Sequence, residues 1–491
     1  MVGRRLPERL ESRALTSWLR VLETQARRGE GVRAPLLAPP ALLLAALDRG
    51  TAGLREVVVA RLAVAAVEAG VSKLEVNLEH PTLIEAVLHA LAGRPHLTQS
   101  LNLKMGPRTA VGDLLSDTLK GMVALTSLTL TPAATDDHLV ALAAAKPPLQ
   151  TLDVSYCTEI TDKGIWALIG EGDDATIMRD VMKGVTPNIQ TNPGKKLAGV
   201  NLWGTGVTTR GCVLLMALCP VLAVLTCRWA TEALELLVRC KRSAALSITQ
   251  LLVAEAPSPN LQQIVPICPH LTSLVVRHPP EFLNPADILV ATPNLSTLSL
   301  LQFTPTPDPW LPTTPINALT SLHLSLLCPR DVNLMTVSTS FPSLQHLTLE
   351  GIHPVLPNPQ TPVPSSSLET LRMVAPPLSR HNLNANVIVW VLEWAKSCVT
   401  VDIGYCNLLT DKDLAEVLSR SALAQVIDLR LSGASKLSNE SVWTLLDSCP
   451  DLRRLALKML PMERLAALES LKVQLRMDNI DVELITYGWK F

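Results

Sequence analysis

The chain carries little charge of either sign, few aromatic residues and no long apolar run. Its 43 basic and 44 acidic residues leave a formal net charge of −1, which gives no electrostatic reason to bind nucleic acid or a lipid surface. No stretch approaches the roughly 18 consecutive apolar residues of a membrane-spanning helix. The opening residues, Met1 to Arg9, are charged and lack the apolar core of a signal peptide. The ten cysteines are scattered, with no CxxC pair. We therefore expect buried, reduced thiols in a cytoplasmic or nuclear protein, a disulfide framework or zinc site being the alternative.

Catalytic groupings are missing as well. His138, His270, His278, His323, His346 and His353 are spread along the chain with no HxxxH spacing. The one HxxE, His278 to Glu281, encloses two prolines and suits a loop, not a helix. Trp203-Gly204-Thr205-Gly206 is the nearest approach to a phosphate loop, and it lacks the third glycine and the lysine–serine pair. The expectation is a non-enzymatic protein that needs no cofactor and no metal.

What the chain does have is 48% apolar residues in a steady rhythm. Leucine, two residues, leucine, one residue, apolar residue recurs at Leu149-Leu152-Val154, Leu271-Leu274-Val276, Leu295-Leu298-Leu300, Leu344-Leu347-Leu349 and Leu452-Leu455-Leu457. Starts at Leu222, Ile248, Leu271, Leu295, Leu319, Leu344 and Leu368 lie 23–26 residues apart. That period is the mark of a leucine-rich-repeat solenoid, in which each repeat buries its core against its neighbours. A solenoid also removes the difficulty of packing 491 residues around one core.

Three regions depart from the rhythm. Residues 1–60 read as a helical preface: Leu10, Leu15, Trp18, Leu19 and Leu22 share one helix face, and a second helix starts near Pro40 with Leu42, Leu43 and Leu44. The preface is either a cap over the first repeat or an adaptor-docking module. Residues 170–196 are polar, carry glycine and show no strand pattern, so they read as an insertion within an array running over 61–477. Between 257 and 377 lie 22 of the 37 prolines, which predicts convex segments that are extended or 3-10, with helices returning near residue 384. The polar tail, 478–491, is expected to close the last repeat.

In a parallel strand alternate side chains face opposite ways. With the leucines inward, the concave face carries Tyr156, Trp203, Arg228, Trp229, Arg277, His323, Arg372, Asp402, Tyr405 and Arg430 as candidate partner-binding residues. Aromatic residues make up only 3% of the chain, so Tyr156, Trp203 and Trp229 in neighbouring repeats are a concentration of the types that anchor interfaces. Trp166, Trp390, Trp394 and Trp443 sit in helix patterns and are expected in the core.

The runs LQTLDVSYCTEITDKGIWAL (149–168) and VTVDIGYCNLLTDKDLAEVL (399–418) resemble the cysteine-containing subclass of leucine-rich repeats, best known from F-box leucine-rich-repeat proteins. Cys157 and Cys406 match the subclass cysteine position, where the thiol is structural. The resemblance implies a right-handed horseshoe with a parallel concave sheet, acting as the substrate-recognition subunit of a cullin-RING ubiquitin ligase. Of an F-box itself only Leu6-Pro7 and Leu10 are present, and the first phenylalanine is Phe282. The preface is also similar to the adaptor-binding boxes of cullin-2-type receptors. That similarity implies docking of an elongin C type or F-box-binding type adaptor through Leu10, Leu15, Trp18, Leu19, Leu42 and Leu43. A leucine-rich-repeat scaffold or inhibitor with no ligase role is the alternative.

Overall fold

The computed structural model describes residues 56–106, 112–170, 173–183, 196–240, 245–253, 267–277, 284–304, 311–312, 314–356, 367–374, 383–404, 406–420, 423–460, 462–477 and 482–488. The expected adaptor-docking residues, Leu10 to Leu43, lie outside them, as does Tyr405. The chain forms two compact units, residues 1–251 and 252–491.

In the first unit, β1 (Lys73–Leu78), β2 (Ser100–Met105), β3 (Ser127–Thr131), β4 (Thr151–Asp153), β5 (Gly199–Asn201) and β6 (Val224–Cys227) each pair parallel with the next. β7 (Gln250–Val253) follows at the unit boundary. The second unit holds β8 (Ser273–Arg277), β9 (Thr297–Phe303), β10 (Ser321–Asn333), β11 (His346–Val355), β12 (Thr370–Val374), β13 (Thr400–Ile403), β14 (Asp428–Ser432), β15 (Arg454–Leu460) and β16 (Glu483–Gly488), again in sequence order and parallel. The rhythm read from the sequence is thus an α/β leucine-rich-repeat solenoid.

Register explains the leucines. Leu298, Leu322, Leu347, Leu371, Val401, Leu429, Leu455 and Leu484 stand opposite one another from β9 to β16 and are all buried. Leu74, Leu101, Leu128, Leu152, Val200 and Leu225 make the same row in the first unit. Each such side chain contributes about 1.5–3 kcal/mol by leaving water. A slip of one residue would turn the row out to solvent, which fixes the register.

Three of the described helices begin where a carboxylate from the preceding repeat meets them. Thr161 caps the helix Asp162–Ile169, its Oγ1 accepting from Lys163 N–H at 3.2 Å. The Thr161 hydroxyl in turn donates to Asp136 Oδ2 at 2.6 Å, and Asp136 Oδ1 takes Thr161 N–H at 2.8 Å and Gly164 N–H at 3.0 Å. Asp136 is the first residue of the previous helix, Asp136–Ala145. Asp162 repeats the arrangement on Thr208, with its N–H at 2.8 Å and Oγ1 at 2.5 Å. In the second unit Asp411 takes Ser438 N–H at 2.7 Å and Ser441 Oγ at 2.5 Å. Glycine at 164 is a requirement of this relay, because a Cβ there would stand 2.4 Å from Asp136 Oδ1.

Buried His138 closes the start of its own helix. Thr135 N–H donates to His138 Nδ1 at 2.9 Å, and Nε2 lies 3.1 Å from Gly112 O. A backbone N–H can only donate, so Nδ1 is bare and Nε2 carries the proton. Histidine here plays the part that glutamate or glutamine usually takes in a capping box.

Two expectations need correction and a third gains detail. Within the proline-rich stretch the replacement of helices is partial: Pro285–Ala291 and Leu334–Ser340 are helices of seven residues each. Asn284 and Asn333 cap them, and Pro285 occupies the first turn, where no backbone N–H is needed. Between β9 and β10, and between β11 and β12, the described residues contain no helix. The insertion contains a helix, Asp174–Met182, which its polar pattern concealed. Asp173 caps it through Thr176 N–H at 3.0 Å, and Val181 is buried. Finally, Trp390 and Trp394 are buried with ring centroids 5.5 Å apart, whereas Trp166 and Trp443 are only half-buried. At the C-terminal end, the expected cap contributes the last strand, β16, paired to β15.

Candidate partner-binding surface

The nine described candidates fall into two groups, one in each unit. Tyr156, Trp203, Arg228 and Trp229 belong to the first, and Arg277, His323, Arg372, Asp402 and Arg430 to the second.

The first group lies just past the ends of β4, β5 and β6, three strands neighbouring in the sheet. Tyr156 is 62% exposed, and its backbone is left-handed at φ 63°. Left-handed backbone is uncommon outside glycine, and here it is stabilised by the Tyr156 N–H donating to Trp203 O at 2.6 Å. Gly204, at φ 70°, gives the tyrosine room: a Cβ there would come within 3.2 Å of Tyr156 Cδ1. Trp203 and Trp229 are half-buried, and the Arg228 guanidinium carbon sits 5.1 Å from the Trp229 ring centroid. A stack of that kind contributes about 0.5–1 kcal/mol at an exposed site and holds the arginine in place.

Two polar residues of the concave face, Asp153 and Asn201, set this rim. Asp153 Oδ1 accepts from Ser155 N–H at 2.9 Å, and Asp153 Oδ2 accepts from Asn201 Nδ2 at 3.1 Å. Asn201 Oδ1 then accepts from Trp203 N–H at 3.2 Å. Both side chains occupy the same register position, Asp153 opposite Asn201. Short polar side chains that bond the backbone two residues on are turn-formers. The signal in the sequence is the aspartate and asparagine at equivalent places in LQTLDV and AGVNL. Beneath the rim the Cys157 thiol is buried and donates to Leu130 O at 3.0 Å, and burial pushes it up to about 11.

In the second group the charges meet one another. Arg372 lies 3.3 Å from Glu350 Oε1 and 4.0 Å from Asp402 Oδ2. Arg430 forms two hydrogen bonds to Asp428, at 3.1 and 2.7 Å, and this pairing raises its pKa further. Asp428 also takes Arg454 at 3.4 Å, and Arg454 reaches Glu483 at 3.0 Å. His323 stands 3.8 Å from Glu350, too long for a hydrogen bond, and burial holds its pKa below the usual value against the pull of that carboxylate. Exposed pairs of this sort contribute about 0–1 kcal/mol each. Arg277 is exposed at the end of β8.

Among the described residues no three or more His, Cys, Asp or Glu side chains gather as a metal ion would need. No described helix is long and apolar enough to cross a membrane.

The fold and surface define a repeat protein that presents a parallel sheet edged with aromatic side chains. No family model matches the chain, and no curated protein does. Among solved structures it is similar to TLR13 in the TLR13–ssRNA13 complex, at 13% identity over 72% of this chain and 45% of that one, with a TM-score of 0.35. It is also similar to the functional domain of InlJ from Listeria monocytogenes, which includes a cysteine ladder. There the identity is 12% over 81% of this chain and 69% of that one, with a TM-score of 0.30. The chain spans less than half of the TLR13 chain it matches.

Proposed function

We propose that this chain is a non-enzymatic protein-binding subunit that takes a protein partner on the rim formed by Tyr156, Trp203, Arg228 and Trp229. The observation that carries the reading is the exposed Tyr156, locked by Trp203 O beside the stacked Arg228–Trp229 pair on neighbouring repeats. Rigid aromatic anchors with an ordered arginine lose little freedom on binding, which is why such residues dominate interface energies.

We further propose that the partner is a substrate held for a cullin-RING ubiquitin ligase. Support comes from the resemblance at 149–168 and 399–418 and from the amphipathic pattern at Leu10, Leu15, Trp18 and Leu19, which suits adaptor docking. A scaffold or inhibitor would use the same rim without the adaptor.

Tagged full-length chain, its Tyr156→Ala/Trp229→Ala variant and its Leu15→Asp/Leu19→Asp variant, each recovered with bound proteins and analysed by mass spectrometry, separate these readings. A cullin and its adaptor recovered with wild type and with the rim variant, but lost with the Leu15/Leu19 variant, support the receptor. A partner lost only with the rim variant, with no ligase component in any sample, leaves the scaffold or inhibitor. A partner set unchanged by the rim variant overturns the rim itself.

A further inference from the structure

Cys212 and Cys227 come from neighbouring repeats and meet in the core between them. Cys212 lies in the helix Thr209–Leu218, and Cys227 is the last residue of β6. Their sulfur atoms are 2.8 Å apart, and the side chains are 0% and 1% exposed. Both are thiols. Most buried cysteines are inert because burial disfavours the thiolate. Cys219, at the end of the helix that carries Cys212, shows this, with its thiol pushed up to about 12. Cys227 differs because the two sulfurs share a hydrogen bond that either can donate, and this pairing lowers the pKa of Cys227 while raising that of Cys212.

We propose that Cys212 and Cys227 form a redox-active dithiol that closes to a disulfide by exchange with a disulfide-containing oxidant such as oxidised glutathione. The Cys227 thiolate attacks one sulfur of the oxidant. The external S–S bond breaks, and the departing thiolate takes up the proton that Cys227 released. The Cys212 thiolate then attacks Cys227 sulfur in the mixed disulfide and displaces the second external thiolate, which takes up the Cys212 proton. Two protein thiols are oxidised and one external disulfide is reduced to two thiols. Because both sulfurs are buried, the oxidant enters only during local opening of the repeat, so the reaction is slower than for an exposed thiol.

The position gives the bond a consequence. Arg228 and Trp229 follow Cys227 directly, so a disulfide would tie the turn that carries them to the helix behind. The covalent proposal stands whether or not that rim binds a partner.

The test uses the full wild-type chain incubated in glutathione buffers of graded poise, quenched in acid, unfolded and alkylated, then mapped by mass spectrometry. The expected result is loss of two alkylatable thiols out of ten, with one linked peptide pair containing Cys212 and Cys227 and with Cys219 still alkylated. Ten reactive thiols at every poise that leaves the protein folded overturn the proposal, as does linkage of either cysteine to another partner. In Cys212→Ser the linked pair should vanish while Cys227 becomes glutathionylated. Since the wild-type map is decisive alone, a variant that fails to fold does not weaken the test.

Discussion

Asp153 on β4 holds Asn201 on β5 through a 3.1 Å hydrogen bond from Asn201 Nδ2 to Asp153 Oδ2, and the two residues are 48 positions apart in the chain. Each also anchors the turn that follows its own strand, at Ser155 and at Trp203. Asp153→Ala should therefore loosen both turns. We expect a loss of about 1–2 kcal/mol in stability, read as a lower melting temperature, together with faster amide exchange at Tyr156 and Trp203. Unchanged exchange at those amides would mean that the rim is set by something else.

His138 makes stability depend on pH. Burial lowers its folded pKa below the usual 6.5, so the folded state binds its proton less readily than the unfolded chain. Its contribution is fully present above about pH 6.5 and is lost as pH falls from there through the folded pKa. Protonation would put a hydrogen on Nδ1, which must stay bare to accept from Thr135 N–H. Melting temperatures measured from pH 7.5 down to 5 should fall more steeply for wild type than for His138→Ala.

Gly164→Ala should push Asp136 away from Thr161 and from the 164 amide. About 2 kcal/mol of destabilisation is expected from the broken charge-assisted bonds. In an Asp136→Ala background the same substitution should cost much less, since the carboxylate it would strike is gone. Additive effects in thermal melts of the four proteins would refute the relay.

The two candidate surfaces should behave differently in binding. Tyr156→Ala or Trp229→Ala is expected to weaken the recovered partner by at least about tenfold with little change in melting temperature. Arg430→Ala, which only breaks pairs within the second unit's ladder, should weaken it by less than about threefold. Titration of the purified partner against each variant distinguishes the two.

The leucine rows were legible from the sequence because Leu322, Leu347 and Leu371 bury the same position in repeat after repeat. The rim aromatics do not follow from strand parity: Tyr156 and Trp229 lie past the strand ends, and Tyr156 is turned outward by a left-handed backbone at φ 63°. What escaped was long-range pairing. Asp136 reads as a residue favourable to its own helix dipole, yet its carboxylate serves Thr161, 25 positions on. Arg372 reads as an available cation, yet Glu350 and Asp402 flank it from neighbouring strands. The helices at Pro285–Ala291 and Leu334–Ser340 were hidden because proline content was weighed over the whole stretch, while Asn284 and Asn333 act locally as caps.

The relay from Asp136 to Thr161, and from Asp162 to Thr208, gives the stack a grain. At these starts, and at Ser438 with Asp411, the helix is finished by the neighbour on its N-terminal side, whereas Thr135 and Thr410 are closed by His138 and Asp413 of their own helices. Damage therefore spreads unevenly: melting one repeat strips the next repeat's helix of its seal but leaves the earlier one intact. A nick or a mutation at one of these three relays should loosen the repeat on its C-terminal side before the repeat on its N-terminal side.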